Sequence, residues 1–193
     1  MINLKTFCLL ITLFSTFAIF SAAQQKPVPQ PTPQTNPQAK RFESKEGNFS
    51  INIFKAPTEV RNLASEAAQK KRIDVGNQFF WQFEKTVYTV MYSNPLSADG
   101  AAMPLNLNDM NSGSRKGIAN IVGAKLLSEK NITFGKYQGT EFRTLMPNGV
   151  KYIARNFLIG KMGYLITGGY VDDKDEKEVL AVLDSFKILV ENK

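Results

Sequence analysis

The side chains that most enzymes use for acid–base and nucleophilic chemistry are almost missing from this sequence. It has no histidine among its 193 residues, and its one cysteine is Cys8. A Ser-His-Asp or Cys-His arrangement is therefore impossible, and so is a zinc site made of cysteine and histidine. An imidazole that titrates near neutral pH is excluded as well. Any enzymatic chemistry would have to use carboxylates, lysine or tyrosine, or a metal ion held by oxygen ligands alone.

One group of charged residues has a spacing that could bind an anion. Glu141 and Arg143 are two positions apart and share one face of a predicted strand, and Lys151 and Arg155 lie on the strand predicted to pair with it. An anion site or a charged wall would follow if the cations faced a ligand. Cross-strand ion pairs on a solvent-exposed sheet face explain the same pattern, and we expect this second arrangement.

The acidic run 172–176 is a second candidate, because its carboxylate oxygens could bind Ca²⁺. It lacks the glycine and the distal glutamate of an EF-hand loop. Acidic residues are also favoured at a helix N-terminus, where the helix dipole stabilises negative charge, and we prefer that explanation. The sequence therefore predicts no catalytic residue, no metal site and no cofactor, and it identifies no binding residue.

A run of aromatic residues could stack against a ligand, although such a row is more often part of a core. Phe79, Trp81 and Phe83 share one face of a strand predicted over 78–84. The return strand over 87–93 has two faces, one with Val87, Thr89 and Met91 and the other with Tyr88, Val90 and Tyr92. If this hairpin faces the helices, Phe79, Trp81 and Phe83 should be buried. The register stays open because the Lys85-Thr86 turn lacks a glycine.

The elements that must position these residues are mostly strands. A turn at 46–48 precedes the alternating apolar residues Phe49, Ile51 and Ile53. Range 58–76 fits either a short helix or an exposed strand with a loop. The sequence then predicts a helix over 108–127 and antiparallel strands over 131–134, 140–146, 150–159 and 164–170. Two tight turns are predicted between these strands, at Pro147-Asn148-Gly149 and at Lys161-Met162-Gly163.

A final helix is predicted over 173–187. Asp173 could cap its start, with Glu176 completing a capping box. Its apolar face, which should lie on the sheet, consists of Val179, Leu180, Val182, Leu183 and Phe186.

Residues 1–23 have the pattern of a cleavable signal peptide. Lys5 is followed by an apolar run from Phe7 to Phe20 and then by Ser21-Ala22-Ala23, which suits a cut after Ala23. We therefore expect a secreted or periplasmic protein. An uncleaved membrane anchor is the alternative, although this apolar run is shorter than the ~20 residues that span a bilayer. Lipid modification of Cys8 is disfavoured because Cys8 lies inside the apolar run.

Residues 24–40 form a linker rich in proline and glutamine, which stiffens a chain toward polyproline II and builds no core. It is a spacer, a tail left after export or a docking site for a proline-binding partner. Residues 41–193 suit one domain. The net charge of +7 becomes +6 without Lys5, and the densest basic run, Lys70-Lys71-Arg72, is short. We expect no nucleic-acid partner.

Three segments together resemble bacterial PsbP-like domains. Residues 42–57, Phe-Glu-Ser-Lys-Glu-Gly-Asn-Phe-Ser-Ile-Asn-Ile-Phe-Lys-Ala-Pro, resemble the opening strand pair of that family. Residues 135–142, Gly-Lys-Tyr-Gln-Gly-Thr-Glu-Phe, resemble its central strand entry, and Leu183-Asp184-Ser185-Phe186 resembles the end of its final helix. The resemblance covers most of 41–190. It implies an α+β fold in which a mainly antiparallel sheet lies between helices as a three-layer α-β-α sandwich.

The resemblance does not imply photosynthesis. Photosystem members of the family bind a membrane complex, and histidine contributes to metal sites in some of them. This chain has no histidine, so no such site transfers to it. Together with the export signal, these observations predict a non-catalytic binding or assembly module of the cell envelope. Its expected partner is an envelope or membrane-associated protein, and its oligomeric state stays open. A hydrolase outside the cytoplasm, using carboxylates or an oxygen-ligated metal, is the alternative; a purely structural surface protein is a third.

Overall fold

The computed structural model describes residues 41–53, 55–63, 73–96 and 104–189. The predicted signal peptide (1–23), the linker (24–40) and the basic run 70–72 lie outside the described residues. The division of the chain into signal peptide, linker and one domain therefore stays a prediction. Within the ambiguous range 58–76, residues 59–62 and the residues from Ile73 onward are strand, and residues 64–72 lie outside the described residues.

Strands dominate the described residues, and two α-helices accompany them. The strands are β1 (Phe42–Ser44), β2 (Phe49–Ile51), β3 (Glu59–Asn62), β4 (Ile73–Gln82), β5 (Thr86–Leu96), β6 (Lys125–Phe134), β7 (Tyr137–Leu145), β8 (Lys151–Ile159), β9 (Met162–Tyr170) and β10 (Lys187–Ile188). The helices are α1 (Leu107–Ala119) and α2 (Glu176–Asp184), and a 3-10 turn at Asp173–Asp175 precedes α2. No helix in the described ranges has the length and apolar character needed to span a bilayer.

The strands form two antiparallel sheets. The larger sheet has the order β3-β4-β5-β9-β8-β7-β6, so β3 and β6 are its edges. The smaller sheet has the order β1-β2-β10. The turn predicted at Pro147-Asn148-Gly149 connects β7 to β8, and the predicted strands of this region are confirmed with ends that differ by a few residues.

The large sheet is covered on both faces, which confirms the predicted three-layer α+β architecture. Helix α2 packs on β9, whereas α1 packs on β6, β7 and β8. Because side chains alternate between the faces of a strand, Ile166 joins the core under α2 and its neighbour Leu165 packs against the cluster around Ile118 of α1. The smaller sheet lies on the α2 side, where the rings of Phe49 and Phe186 stack at 5.6 Å.

The aromatic row is core rather than a surface platform. Trp81 is fully buried, and its indole Nε1 donates to the Lys55 carbonyl at 3.0 Å. Trp81 pairs with Tyr88 across the β4–β5 hairpin, so Tyr88 and Tyr92 share the buried side with Trp81 and Phe79. This register could not be derived from the turn sequence.

The prediction that Phe83 is buried was wrong, because β4 ends at Gln82 rather than at residue 84. Phe83 follows the strand and is 36% exposed. Its ring lies 5.5 Å from the Lys55 ammonium, which is within cation–π range.

The helix predicted over 108–127 was too long. Helix α1 ends at Ala119, and the Asn120 N–H donates to the Lys116 carbonyl. Gly123 then adopts φ +83°, a left-handed conformation that costs glycine little, and the chain reverses into β6 at Lys125. The strand predicted at 131–134 is therefore only the second half of β6.

The tight turn predicted at Lys161-Met162-Gly163 lies earlier in the chain. Ile159 ends β8 and Met162 begins β9, so Gly160 and Lys161 form the turn, with Gly160 at φ +64°. Gly163 lies in β9 instead, where Leu105 Cδ2 packs 2.6 Å from the position that a Cβ would take.

Candidate functional site

A buried carboxylate is the centre of the charged group identified in the sequence. Glu141 is 1% exposed, and it lies on the face of the large sheet that α2 covers. Register explains the grouping, since Glu141 of β7 is directly opposite Arg155 of β8 and Lys130 of β6. Arg143 shares this face because it is two positions along β7.

Three cations surround Glu141. Its Oε1 accepts from Lys130 Nζ at 3.0 Å and from Arg143 Nε at 3.2 Å, and its Oε2 accepts from Arg155 Nε at 2.9 Å. A buried carboxylate is tolerated when it is paired and hydrogen-bonded in this way. Glu141 thus links three neighbouring strands through their side chains.

The two arginines also reach helix α2, one at each end. Arg143 Nη1 donates to Glu176 Oε1 at 2.5 Å at the start of the helix. Arg155 Nη1 donates to Asp184 Oδ1 at 2.6 Å at its last residue. These contacts tie α2 to the sheet beside the apolar packing of Val179 and Leu183.

The buried Glu141 and the partly exposed Glu176 both stay ionised at neutral pH. Burial alone would raise the pKa of Glu141, but hydrogen bonds from Lys130, Arg155 and Arg143 outweigh it and lower that pKa. The pKa of Glu176 is also lowered, by Arg143 first and by the Tyr170 hydroxyl, which donates to its carboxylate at 2.8 Å. Neither carboxyl therefore carries a proton that it could donate near pH 7.

Cross-strand ion pairs on a solvent-exposed sheet face were predicted here. The ion pairs are confirmed, but the exposure is wrong, because Glu141 is buried. Glu141 is buried among Lys130, Arg143 and Arg155, which sequence spacing could not reveal. Lys151 does not contact Glu141; its ammonium pairs with Asp173. Sequence reasoning missed Lys130, Glu176 and Asp184 as members. The sequence did contain one signal. The predicted group has more cations than its single anion, Glu141, and the acidic residues at the two ends of the last helix supply the missing negative charge.

The acidic run 172–176 is divided among local partners. Asp172 caps the 3-10 turn by accepting from the Lys174 N–H at 3.1 Å, and Asp173 pairs with Lys151. The predicted capping box of Asp173 and Glu176 was wrong, because Glu176 instead binds Arg143 and Tyr170. Within the part of the chain that the structure describes, no group of three acidic, histidine or cysteine side chains could hold a metal ion.

A cleft of about 360 Å³ opens beside this network, between β6, β7, β8 and the end of α2. Its polar lining comes from Lys130, Thr133, Glu141, Arg155 and Asp184, and its apolar lining from Ile132, Phe134, Phe157, Leu183 and Phe186. Lys130 is 55% exposed, so its ammonium is accessible to solvent. The cleft suits an apolar group that carries a nearby negative charge.

Two comparisons found no relative of this chain, and a third found solved structures that are similar to it. No family model matches the sequence, and no curated protein matches it. The solved structures place the chain in the PsbP-like fold, which confirms the resemblance noted in the sequence at the level of fold.

One of these structures is the solution structure of cyanobacterial PsbP (CyanoP) from Synechocystis sp. PCC 6803. The match has a TM-score of 0.50 at 12% identity and covers 82% of this chain and 98% of that chain. At this identity the similarity shows the fold alone.

Proposed function

We propose that the protein is a non-catalytic binding or assembly module of the cell envelope. The observation that carries the proposal is the state of the carboxylates at the cleft. Glu141 and Asp184 are both held by Arg155, and Glu141 has a lowered pKa. A hydrolase that uses two carboxylates needs one of them to keep a proton, which requires a raised pKa. The cleft is suited to recognition instead.

The proposed partner is an envelope or membrane-associated protein rather than nucleic acid. Nucleic acid binding uses a basic face whose cations are free to meet phosphates. Here the arginines at the cleft are matched by acidic neighbours, Glu141, Glu176 and Asp184. The exposed apolar side chains of β6, Leu126 and Leu127, favour a protein surface as the partner.

The signal peptide pattern in 1–23 supports export, to the periplasm or to the outside of the cell. Mass spectrometry of the protein from its native host measures this directly, since cleavage after Ala23 gives a mature chain that begins at Gln24. A chain that retains residues 1–23 in the membrane fraction would instead establish the tethered alternative.

The function is tested with the full chain, carrying a C-terminal tag and produced in its native host. Chemical crosslinking followed by quantitative mass spectrometry should recover one envelope protein in stoichiometric amount. The same purified protein should not turn over ester, phosphate, glycoside or peptide substrates with Mg²⁺ or Ca²⁺ present. Turnover that disappears in Glu141→Gln or Asp184→Asn would overturn the proposal in favour of the hydrolase.

A further inference from the structure

Strand β6 has one side of its backbone unpaired by the sheet. It runs for 10 residues from Lys125 to Phe134 and is the last strand of the large sheet, and among the residues that the structure describes it pairs with β7 alone. Most of its residues are exposed. Such an edge presents a row of N–H and C=O groups to which another strand can bind.

The accessible charge along this edge is positive. Lys125, Lys130 and Lys136 lie on β6 and in the turn that follows it, and all three are exposed. The one acidic residue of the strand, Glu129, is held by Arg115 of α1 through two hydrogen bonds of 2.5 and 2.8 Å. Lys130 shares Glu141 with two arginines. Glu129 and Glu141, the two anions beside these lysines, are thus also bound by arginines. An incoming carboxylate can therefore pair with the lysines.

Apolar surface accompanies these lysines. Val122 is 93% exposed just before the strand, and Leu127 is 54% exposed within it. Ile132 and Phe134 of the same strand line the cleft beside Glu141. A strand added next to β6 would point alternate side chains onto this face, where one of them can reach the cleft.

We propose that the free edge of β6 takes up an extended segment of the partner protein, rich in acidic and apolar residues, as an additional strand. Main-chain hydrogen bonds would supply affinity, while an apolar side chain in the cleft and carboxylates near Lys125 and Lys130 would supply selectivity. The inference rests on the proposed function, since it names the surface and the chemistry of the partner.

Charge favours such a segment over a second copy of this chain. Pairing β6 with β6 of another molecule would bring two lysine-bearing edges together, and like charges across neighbouring strands are destabilising. Lysine on an edge commonly protects against unwanted strand pairing. An acidic segment turns the same lysines into favourable contacts.

The probe is a synthetic peptide, acetyl-Thr-Glu-Thr-Phe-Thr-Glu-Thr-Val-amide, labelled for fluorescence anisotropy. Its alternation puts both glutamates and the phenylalanine on one face of an extended strand. We expect binding to the full chain, and slower amide hydrogen exchange confined to β6 and the cleft. A peptide with lysine in place of both glutamates should bind about tenfold or more weakly.

Backbone pairing is tested with two N-methylated versions of the probe, one methylated at the threonines and the other at the remaining residues. Alternate residues of an added strand direct their N–H groups toward β6. One version should therefore lose binding and the other retain it. Equal binding by both versions would overturn strand addition.

Protein variants identify the edge. Lys125→Gln combined with Lys130→Gln should weaken probe binding about tenfold, because two charge-assisted contacts are lost. Lys45→Gln is the matched control, since Lys45 is an exposed lysine in the turn between β1 and β2, which belong to the other sheet. Thermal melting checks that each variant is folded. Equal loss in the control, or no loss in the edge variant, would contradict the proposal.

The protein could self-associate and so slow amide hydrogen exchange in β6 without any peptide. The occupant of the edge would then be a second copy of this chain, and the inference would be overturned. The native partner separates this failure from failure of the proposed function. If crosslinking recovers a stoichiometric partner while β6 exchanges as fast as in the free protein, the module stands and the edge proposal fails.

Discussion

Glu141 is the residue on which the electrostatics of this protein depend most. Its carboxylate is buried, and three cations from three strands contact it. The pairing offsets a desolvation cost that one partner could not offset alone. Removing its charge would leave Arg143 and Arg155 without the acceptor they share.

We therefore expect Glu141→Gln to lower the free energy of unfolding by about 3–5 kcal/mol, the range for breaking a buried ion pair on one side. Urea denaturation measures the change. Glu43→Gln is the control, because Glu43 and its partner Arg41 are both exposed and the loss there should stay within about 0.5 kcal/mol. Equal midpoints for the two variants would show that the Glu141 network contributes no stability.

Trp81 tests the assignment of the aromatic row to the core. It is fully buried, with its ring 5.0 Å from that of Phe42. Trp81→Ala should cost about 3–5 kcal/mol in chemical denaturation, since truncation of a buried aromatic residue leaves a cavity. Phe83→Ala should cost much less because Phe83 is partly exposed. An unchanged midpoint in Trp81→Ala together with lost partner capture would make the row a recognition surface.

At the level of elements, helix α2 lies unusually close to strand β9. A Cβ at Gly168 would lie 2.4 Å from Val179 Cγ1, so the absence of a side chain at Gly168 sets the approach of the helix. Val179 is fully buried there. The position of α2 also decides which acidic side chains meet the Glu141 network, since Glu176 and Asp184 lie at its two ends.

Gly168→Ala should destabilise the protein by about 1–3 kcal/mol, the usual cost of overpacking a core. Val179→Ala removes the atom that the new methyl group meets. The double variant should therefore be more stable than the sum of the two single changes implies, as a double-mutant cycle in urea measures. Strict additivity would mean that the two sites do not contact each other.

For the whole molecule, the ion network predicts sensitivity to acid. Glu141 and Glu176 both have lowered pKa values in the folded protein. A carboxyl with a lowered folded pKa contributes stability that is complete above its unfolded pKa, about 4.3 for glutamate, and is lost as pH falls through the folded pKa. Stability should therefore decline below about pH 4.

Thermal melting between neutral pH and acid measures this decline. Glu176→Gln should make the melting temperature depend less steeply on pH, because the variant lacks the Glu176 carboxyl. The contribution of Glu141 should remain. Glu43→Gln is the control and should follow the wild-type profile. An acid profile that is identical in wild type and Glu176→Gln would show that the α2 ion pairs do not set the pH response.

Local sequence patterns predicted much of the fold. Period-two alternation predicted the β4–β5 hairpin, and Asn148-Gly149 marked the turn into β8. The apolar face of the last helix was also predicted, since Val179 and Leu183 are buried, but α2 spans only Glu176–Asp184 of the predicted 173–187, and the buried Phe186 follows it. Errors fell at element ends, where Ile121 and Val122 prolonged the helical pattern past the turn that Gly123 makes. Ends depend on which backbone groups find partners, and alternation alone does not encode that.

Residue types and their spacing along the chain determined three results. They are the chemistry that the missing histidine excludes, the export pattern and the strand-rich α+β class. The tertiary structure alone decided the candidate site. Glu141 and Arg143 were predicted on one face, but only the packing of α2 on that side of the sheet brought Glu176 and Asp184 to the arginines. Likewise, strand order alone left β6 at the edge. Burial and edge position depend on contacts between residues far apart in sequence, which periodicity within a single strand or helix does not specify.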